Sequence, residues 1–143
     1  FQLSENLDIF INFGLLKTEI KNWKSRPDLQ GRAQAHAPEK SYAIGLNWNL
    51  AEHSNLSFDL VGKSSFYYSD SHNNRSKSYF LSNLSYSYYS GQWTYSIWGR
   101  NIFDSYYATR GFYFGNEAPN FIDTLYERHG DPRHMGFTVR YDF

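Results

Sequence analysis

Aromatic and cationic side chains are concentrated in residues 103–134, and these residue types are suited to ligand binding. An arginine guanidinium presents a planar fork that matches a carboxylate or phosphate, and tyrosine and phenylalanine rings offer stacking surfaces. The segment therefore predicts contact with an anionic or ring-bearing small molecule. The alternative is that the rings only pack the segment against itself, because a long ordered loop needs a core of its own. The candidate ligand-binding residues are Tyr106, Tyr107, Arg110, Phe112, Tyr113, Tyr126, Arg128 and His129.

His129, Asp131 and His134 are residue types that can ligate a metal. Their spacing matches no recognised ligand motif, and Pro132 favours a turn whose imidazole and carboxylate groups are solvated. We therefore predict no metal site and no cofactor. The sequence also contains no Ser-His-Asp order, no paired catalytic carboxylates and no phosphate-cradling glycine loop that stands out, so we predict that the protein is not an enzyme.

The composition narrows the class of protein. Lysine plus arginine equal aspartate plus glutamate at 14 each, so no net field attracts nucleic acid or anionic lipid. Without cysteine, neither disulfides nor thiolate metal sites can form. No run approaches the ~18 apolar residues of a transmembrane helix. The aromatic fraction of 20% exceeds the needs of a soluble core, and the dominance of tyrosine is typical of surfaces that are half wet and half apolar.

Several segments alternate between apolar and polar residues with the period of a β-strand, and no amphipathic helix is convincing. Short turns alternate with long connections between these segments, which is typical of outer-membrane barrels. The sequence begins at Phe1 with neither a signal peptide nor an initiator methionine, so we expect a piece of a longer protein. The predicted strands are residues 7–20, 41–50, 55–68, 78–89, 92–102 and 136–143.

The two faces of these strands differ in a way that favours a membrane. The polar faces carry mostly serine, asparagine, threonine and glycine, whereas a face in bulk water normally carries lysine and glutamate. Aromatic residues on the apolar faces lie near both strand ends, as in the aromatic belts that a bilayer selects. The two belts are Trp48, Tyr88, Trp93 and Phe143 near the short turns, and Tyr42, Phe66, Tyr68 and Phe80 near the long loops. A soluble lipocalin-like barrel with an apolar interior, or a small structural outer-membrane barrel, stays open as an alternative.

Charged residues on the predicted polar faces are expected to pair across neighbouring strands, because charges in a low-dielectric interior need partners. They are Asp59 with Lys63, and Arg100 with Arg140 and Asp142.

Four segments resemble a known family. Residues 99–107, Gly-Arg-Asn-Ile-Phe-Asp-Ser-Tyr-Tyr, resemble the N-[LI]-F-D-x-x-Y signature of the penultimate strand of TonB-dependent outer-membrane receptors. Residues 130–133, Gly-Asp-Pro-Arg, together with the aromatic terminal strand, resemble the final segment of that family. Residues 37–42 resemble its "aP-x-x-s" entry to a strand, and residues 16–20 its "ldTeI" strand exit. The matches follow the family's order and cover nearly the whole chain.

The resemblance implies that residues 1–143 are the C-terminal part of an all-β, antiparallel transmembrane β-barrel, about six strands of roughly 22. It implies a receptor in the outer membrane of a Gram-negative bacterium. Such a receptor binds a scarce nutrient through its extracellular loops (a siderophore–iron complex, haem, cobalamin or a glycan) and imports it with TonB-coupled energy. The plug domain and the energy-coupling box would precede this piece. Six strands cannot close such a barrel, so the piece alone would have two open edges.

The resemblance also implies the partners: outer-membrane lipid, a TonB-type energy-coupling complex that engages the region upstream, the barrel-assembly machinery and a small-molecule nutrient. The terminal strand resembles the signal that the assembly machinery reads by adding an edge strand. The residues expected to carry that signal are Phe137, Val139, Tyr141 and Phe143.

Overall fold

The computed structural model describes residues 2–143, and most of them lie in antiparallel β-strands and their connections. One sheet of seven strands has the order β1-β2-β3-β4-β5-β6-β9, and β7 and β8 form a separate hairpin. The strands are β1 (Gln2–Ser4), β2 (Leu7–Leu15), β3 (Lys40–Ala51), β4 (Ser54–Lys63), β5 (Tyr79–Ser90), β6 (Trp93–Arg100), β7 (Ala108–Phe114), β8 (Thr124–His129) and β9 (His134–Tyr141), with a 3-10 turn at Pro27–Leu29. Among residues 2–143, no helix has the length and apolarity needed to cross a membrane.

Short and long connections lie at opposite ends of the seven-stranded sheet. The turns at residues 5–6, 52–53 and 91–92 are all at one end, and the connections 16–39, 64–78 and 101–133 are at the other. Gly91 has a φ of 59° in one of these turns, a conformation that glycine adopts without steric cost. Tyr141 pairs with Trp93 at the start of β6, so β9 ends on the short-turn side. This arrangement matches the predicted alternation.

The register separates an apolar face of the sheet from a polar one. One apolar row crosses five strands in direct register: Trp48, Leu56, Tyr86, Ile97 and Phe137. These side chains are not gathered in a dry interior, since Ile97 is 60% exposed and Phe137 65%. The apolar face is therefore an uncovered surface. A lipocalin-like barrel would instead bury it.

Two predicted strands end earlier than expected because their backbones bond within the loops. β2 ends at Leu15 rather than at residue 20, and Ile20 exchanges hydrogen bonds with Arg32 and Gly31 instead. β4 ends at Lys63 rather than at residue 68. Beyond it, the Ser76 N–H donates to the carbonyl of Phe66, and the Phe66 N–H donates to the Ser76 hydroxyl.

This early end of β4 corrects the predicted aromatic belt near the long loops. Phe66 and Tyr68 are buried with 5% and 4% exposure, and Leu29 with 3%. Phe66 meets Tyr68 edge-on at 5.8 Å between ring centroids. These rings are therefore part of a loop core, whereas Tyr42 and Phe80 remain on the apolar face of the sheet at that end.

Two further elements differ from the sequence-based expectation. β1 adds a short seventh strand before β2. Residues 103–134, predicted as a loop, contain the β7–β8 hairpin. β6 also ends at Arg100 rather than at residue 102, because Asn101 has a φ of 47° and turns the chain out of the sheet.

Candidate functional site

The long connection between β6 and β9 starts and ends at one buried side chain, that of Asn101. Its Nδ2 donates to the carbonyls of Ser105 at 3.0 Å and Asp131 at 3.1 Å. Its Oδ1 accepts from the Ser105 N–H at 2.9 Å. Since Asn101 is only 4% exposed, these bonds replace its contacts with water. One side chain thus joins the two ends of the loop.

Asp104 ties the same two segments a second time. Its Oδ1 accepts from the backbone N–H of Arg133 at 2.9 Å. Both Asn101 and Asp104 have left-handed backbone conformations, with φ of 47° and 53°, which asparagine and aspartate tolerate better than most residues. The two motifs that carry the family resemblance near the C-terminus, residues 99–107 and 130–133, therefore meet in space and close the loop.

The β7–β8 hairpin brings four of the predicted ligand-binding residues together on one face. Arg110 lies directly opposite Arg128, and Phe112 directly opposite Tyr126. The Arg110 guanidinium lies 6.0 Å from the centroid of the Phe112 ring. Both arginines are exposed, and neither forms an ion pair within residues 2–143. We call Arg110, Phe112, Tyr126 and Arg128 the outer face of the hairpin.

A carboxylate borders this outer face at one position. The Tyr126 hydroxyl donates to Glu117 at 3.2 Å. Burial, followed by the hydrogen bond and the negative charge of Glu117, raises the pKa of the Tyr126 phenol. The tyrosine therefore stays protonated near neutral pH and serves as a hydrogen-bond donor beside the two guanidiniums.

The other face of the hairpin packs on the 64–78 loop. Tyr113 stacks on His72 with 3.6 Å between centroids, and His72 lies 3.6 Å from an Asp123 carboxylate oxygen. The Tyr68 ring lies under Gly111, where a Cβ atom would come within 2.5 Å of it. Burial first, and then the hydrogen bond and charge of Glu127, raise the pKa of the Tyr68 phenol well above its usual value. Tyr113, one of the predicted ligand-binding residues, therefore lies on the inner face and helps to hold the hairpin in place.

The remaining predicted ligand-binding residues pack near the base of the hairpin. Tyr106 stacks on His129 at 4.4 Å, and its hydroxyl is 2.9 Å from the His129 Nε2. Tyr107 packs against the Tyr79 ring at 4.6 Å and against Gly130. Tyr79 belongs to the polar face of the sheet, in register with Lys63, so the long connection folds over the polar face.

The 16–39 and 64–78 loops are fastened to each other by arginines. Arg32 donates to the carbonyls of Ser69 at 2.7 Å and His72 at 2.8 Å. The guanidiniums of Arg32 and Arg75 lie 4.5 and 4.7 Å from the centroid of the Tyr67 ring. Hydrogen bonds and cation–π contacts therefore hold together the two loops on which the hairpin rests. No periodic pattern in the sequence predicts the roles of Arg32, His72 or Asn101, because these roles arise from contacts between distant segments.

The predicted pairing of charges on the polar face is only partly right. Arg100 approaches Asp59 at 4.0 Å across strands, and Asp59 also accepts a hydrogen bond from Asn83 at 2.7 Å. Lys63 forms no ion pair within residues 2–143, so its predicted pairing with Asp59 is wrong, because the nearer Arg100 and Asn83 occupy that carboxylate. Arg140 bonds Asp142, just beyond the end of β9, at 2.9 Å, whereas Arg100 pairs with Asp59 instead of joining them.

The histidines near the end of the long connection do not converge. His129 lies against Tyr106 and 3.9 Å from Glu127, whereas His134 approaches the Pro132 carbonyl and the Trp98 ring. Within the part of the chain that the structure describes, no group of three or more histidine, cysteine, aspartate or glutamate side chains is placed to hold a metal ion.

The terminal strand presents its predicted signal residues on the apolar face. Phe137, Val139 and Tyr141 pair with Ile97, Tyr95 and Trp93 of β6. Tyr141 packs against Trp93 at 4.7 Å and edge-on against Phe143 at 5.0 Å, and its hydroxyl donates to Gln92. Within residues 2–143, β9 has no partner on its other side, so it is an open sheet edge.

Comparison with solved structures identifies the architecture. The chain matches the crystal structure of the siderophore receptor PiuA from Acinetobacter baumannii over 96% of its length, with a TM-score of 0.77 and 12% sequence identity. The chain spans 20% of the length of that receptor. No protein-family model and no curated protein matches the sequence. The fold therefore agrees with the resemblance found in the sequence: the antiparallel sheet matches part of a TonB-dependent receptor barrel and is itself not closed.

Proposed function

We propose that this chain is the C-terminal wall of an outer-membrane receptor that captures a scarce nutrient and imports it with TonB-coupled energy. The fold match supports the wall, with the apolar face toward lipid and the polar face toward the lumen. Its short turns then lie in the periplasm and its long connections outside the cell. The plug and the energy-coupling segment belong to the upstream part of the receptor.

The observation that carries ligand capture is the outer face of the hairpin. Arg110 and Arg128 are directly opposite each other, so their like charges disfavour the pair unless an anion lies between them. The adjacent Phe112 and Tyr126 rings provide a stacking surface for an aromatic ligand. The site fits an anionic, ring-bearing nutrient such as a ferric tris-catecholate complex or haem better than neutral cobalamin or a glycan.

The test measures ligand binding to the full-length receptor in detergent. A ferric tris-catecholate complex, haem, cyanocobalamin and a neutral oligosaccharide are titrated against the wild type and the double variant Arg110→Gln/Arg128→Gln. We expect the anionic ligand that binds to lose at least about tenfold in affinity, because each charge-assisted hydrogen bond contributes about 1.5–3 kcal/mol. Uptake of the same ligand by cells should fall in parallel.

Arg133→Gln is the matched control, because Arg133 is exposed in the same connection and only its backbone N–H is engaged. Equal effects of the control and the double variant would contradict a specific role for the outer face. Tight binding of a neutral ligand that ignores both arginines would contradict the anionic class.

We also propose that β9 delivers the receptor to the barrel-assembly machinery by adding to its edge strand. The exposed edge of β9 and the aromatic apolar row that ends on Phe143 support this role. Deleting Phe143 should lower the yield of inserted full-length receptor, measured as heat-modifiable mobility on gels. The control is Asp142→Asn, a change on the opposite face that deletes no residue. An unchanged yield without Phe143 would count against the signal.

A further inference from the structure

A cavity of about 710 Å³ lies on the polar face where the base of the hairpin overhangs β2–β5. This volume is in the range of small-molecule binding pockets, roughly 300–1,000 Å³. Its floor is a row of apolar side chains in direct register: Ala43, Val61 and Leu81. This row lies among polar residues of the same face, since Ser41 and Lys63 flank it on one side and Gly45 and Asp59 on the other.

The neighbouring row supplies polar groups at one end of this floor. Lys63 lies directly opposite Tyr79, two residues further along the strands than Val61 and Leu81. Tyr107 reaches down from the long connection and packs on Tyr79 at 4.6 Å, forming a wall of the cavity. Two residues of a strand span roughly 6.6–6.8 Å. That is close to the length of one benzoate-sized molecule.

Lys63 provides a charge that the described residues do not neutralise. It is exposed and has no carboxylate partner within residues 2–143, since Asp59 is engaged by Arg100 and Asn83. A lone ammonium beside an apolar floor is complementary to an anion with an apolar body. Tyr79, directly opposite Lys63, adds a phenolic hydrogen-bond donor to the same row, whereas the Tyr107 hydroxyl lies against Gly130.

We propose that this cavity is a second binding site, on the lumen side, for a small aryl carboxylate. The ring lies on Val61 and Leu81 beside the Tyr107 wall, and the carboxylate meets Lys63 and the Tyr79 hydroxyl. This site is separate from the outer face of the hairpin and goes beyond the capture role assigned to that face. A ligand released from the outer face, or an acidic aromatic part of it, would meet this site next on the way inward.

The test uses 4-(trifluoromethyl)benzoate as the probe and the full-length receptor in lipid nanodiscs, with fluorine NMR line broadening as the readout. Empty nanodiscs give the broadening due to lipid alone. We expect additional broadening with the wild-type receptor and a loss of affinity of about tenfold with Lys63→Gln. The neutral probe 4-(trifluoromethyl)benzamide should bind more weakly to the wild type and should not respond to Lys63→Gln.

Two variants make the outcome specific. Lys40→Gln removes the same charge from the same end of the sheet. Lys40 precedes Ser41, the residue opposite Lys63, and does not line the cavity, so this variant should leave probe binding unchanged. Leu81→Asn should weaken both probes, because it makes the floor polar. Each variant is first checked for normal heat-modifiable mobility.

Binding no stronger than to empty nanodiscs, or equal effects of Lys63→Gln and Lys40→Gln, would overturn the second site. Arg110→Gln/Arg128→Gln should leave probe binding unchanged, so a failure of the outer-face proposal and a failure of this one are distinguishable. Loss of probe binding in that double variant would show a single shared site and would also overturn the proposal.

Discussion

Asn101 satisfies three hydrogen bonds in a buried position and holds a left-handed backbone conformation. The Asn83 carboxamide accepts from the Asn101 N–H at 3.1 Å and donates to Asp59, so the same residue is also joined to the polar face of the sheet. No other standard side chain combines a donor, an acceptor and tolerance of positive φ at this length as well as asparagine does.

Replacing Asn101 should loosen the long connection without unfolding the sheet. Asn101→Ala removes three hydrogen bonds to the backbone of Ser105 and Asp131, each of which contributes about 0.5–1.5 kcal/mol net. Opening of the connection, measured as its rate of cleavage by a protease in the folded full-length receptor, should therefore rise about tenfold or more. Asn101→Gly should give most of this effect although it tolerates the backbone conformation, which separates lost hydrogen bonds from strain.

Asn120→Ala is the control for this experiment, because Asn120 is exposed in the same connection. If Asn101→Ala and Asn120→Ala are cleaved at equal rates, Asn101 does not close the loop.

Tyr68 couples the packing of the hairpin to alkaline pH. Its pKa is raised in the folded protein, so the folded state holds the phenolic proton more tightly than the unfolded chain. The resulting stability is present below the ordinary phenol pKa of about 10 and is lost as the pH rises above it. In a spectrophotometric titration at 295 nm, one tyrosine should ionise later than the others, and Tyr68→Phe should remove that late phase. If the late phase persists in Tyr68→Phe, it belongs to another tyrosine and the prediction is wrong.

At the scale of elements, the β7–β8 hairpin is a two-faced unit whose inner face is fitted to the 64–78 loop. Gly111 is central to this fit, because a side chain there meets the Tyr68 ring at 2.5 Å. The stacked pair of His72 and Tyr113 adds a second contact. The position of the outer arginines therefore depends on a glycine on the opposite face.

Gly111→Val should displace the hairpin and weaken ligand capture while leaving the outer face chemically intact. Tyr68 is only 4% exposed, so its ring cannot move aside without opening the loop core. We expect faster hydrogen exchange in β7 and β8 and a reduced affinity for the anionic ligand. Thr124→Val, which places the same valine side chain on the opposite face of the hairpin, is the control. Wild-type exchange rates in Gly111→Val would mean that the hairpin does not rely on this contact.

The strands of the sheet could be predicted because each has one apolar and one polar side. β3 and β9 appear in the sequence almost as they do in the structure, within two residues at their ends. The hairpin could not be predicted in this way. Its strands place Arg110 and Phe112 on one side and Gly111 and Tyr113 on the other, so neither side is uniformly apolar. Tertiary contacts with a distant loop, rather than periodicity, determine where that hairpin forms.

The candidate site was likewise predictable in its residue types but not in its geometry. Four of the ligand-binding residues predicted in 103–134 share the outer face, and their contact with a ligand stays a prediction. Sequence alone could not separate these four residues from Tyr113, whose side chain lies on the inner face. The face on which a side chain lies depends on the register between β7 and β8 and on the bulge near Ala108. The sequence predicts that β4 continues through Phe66 and Tyr68, because apolar and polar residues still alternate beyond Lys63, where the pairing of β4 ends.

At the scale of the whole molecule, the uncovered apolar face of the sheet requires an apolar environment. Side chains in the middle of this face, such as Ile97 at 60% exposure, would be in water if the chain stood in solution. In the proposed receptor, a bilayer around the complete barrel would remove that cost, and the polar face would border the lumen.

A matched pair of substitutions on β6 tests this orientation in the full-length receptor. Ile97→Arg places a charge on the apolar face, which costs about 2–4 kcal/mol at the middle of a bilayer. The amount of folded receptor in outer membranes should therefore fall sharply. Ser96→Arg, its neighbour on the polar face, should be tolerated much better. The reverse ranking would place the polar face against lipid and would contradict the barrel orientation.

In the proposed receptor, the closure of the long connection at Asn101 and Asp104 separates changes in recognition from changes in the barrel. The chain leaves β6 and returns to β9 beside these two side chains, so the residues between them can change without altering the pairing of β6 with β9. Under that proposal, insertions or exchanges in this segment would alter the part that faces the outside of the cell and leave the wall unchanged. Such a receptor could acquire a new ligand without a new barrel.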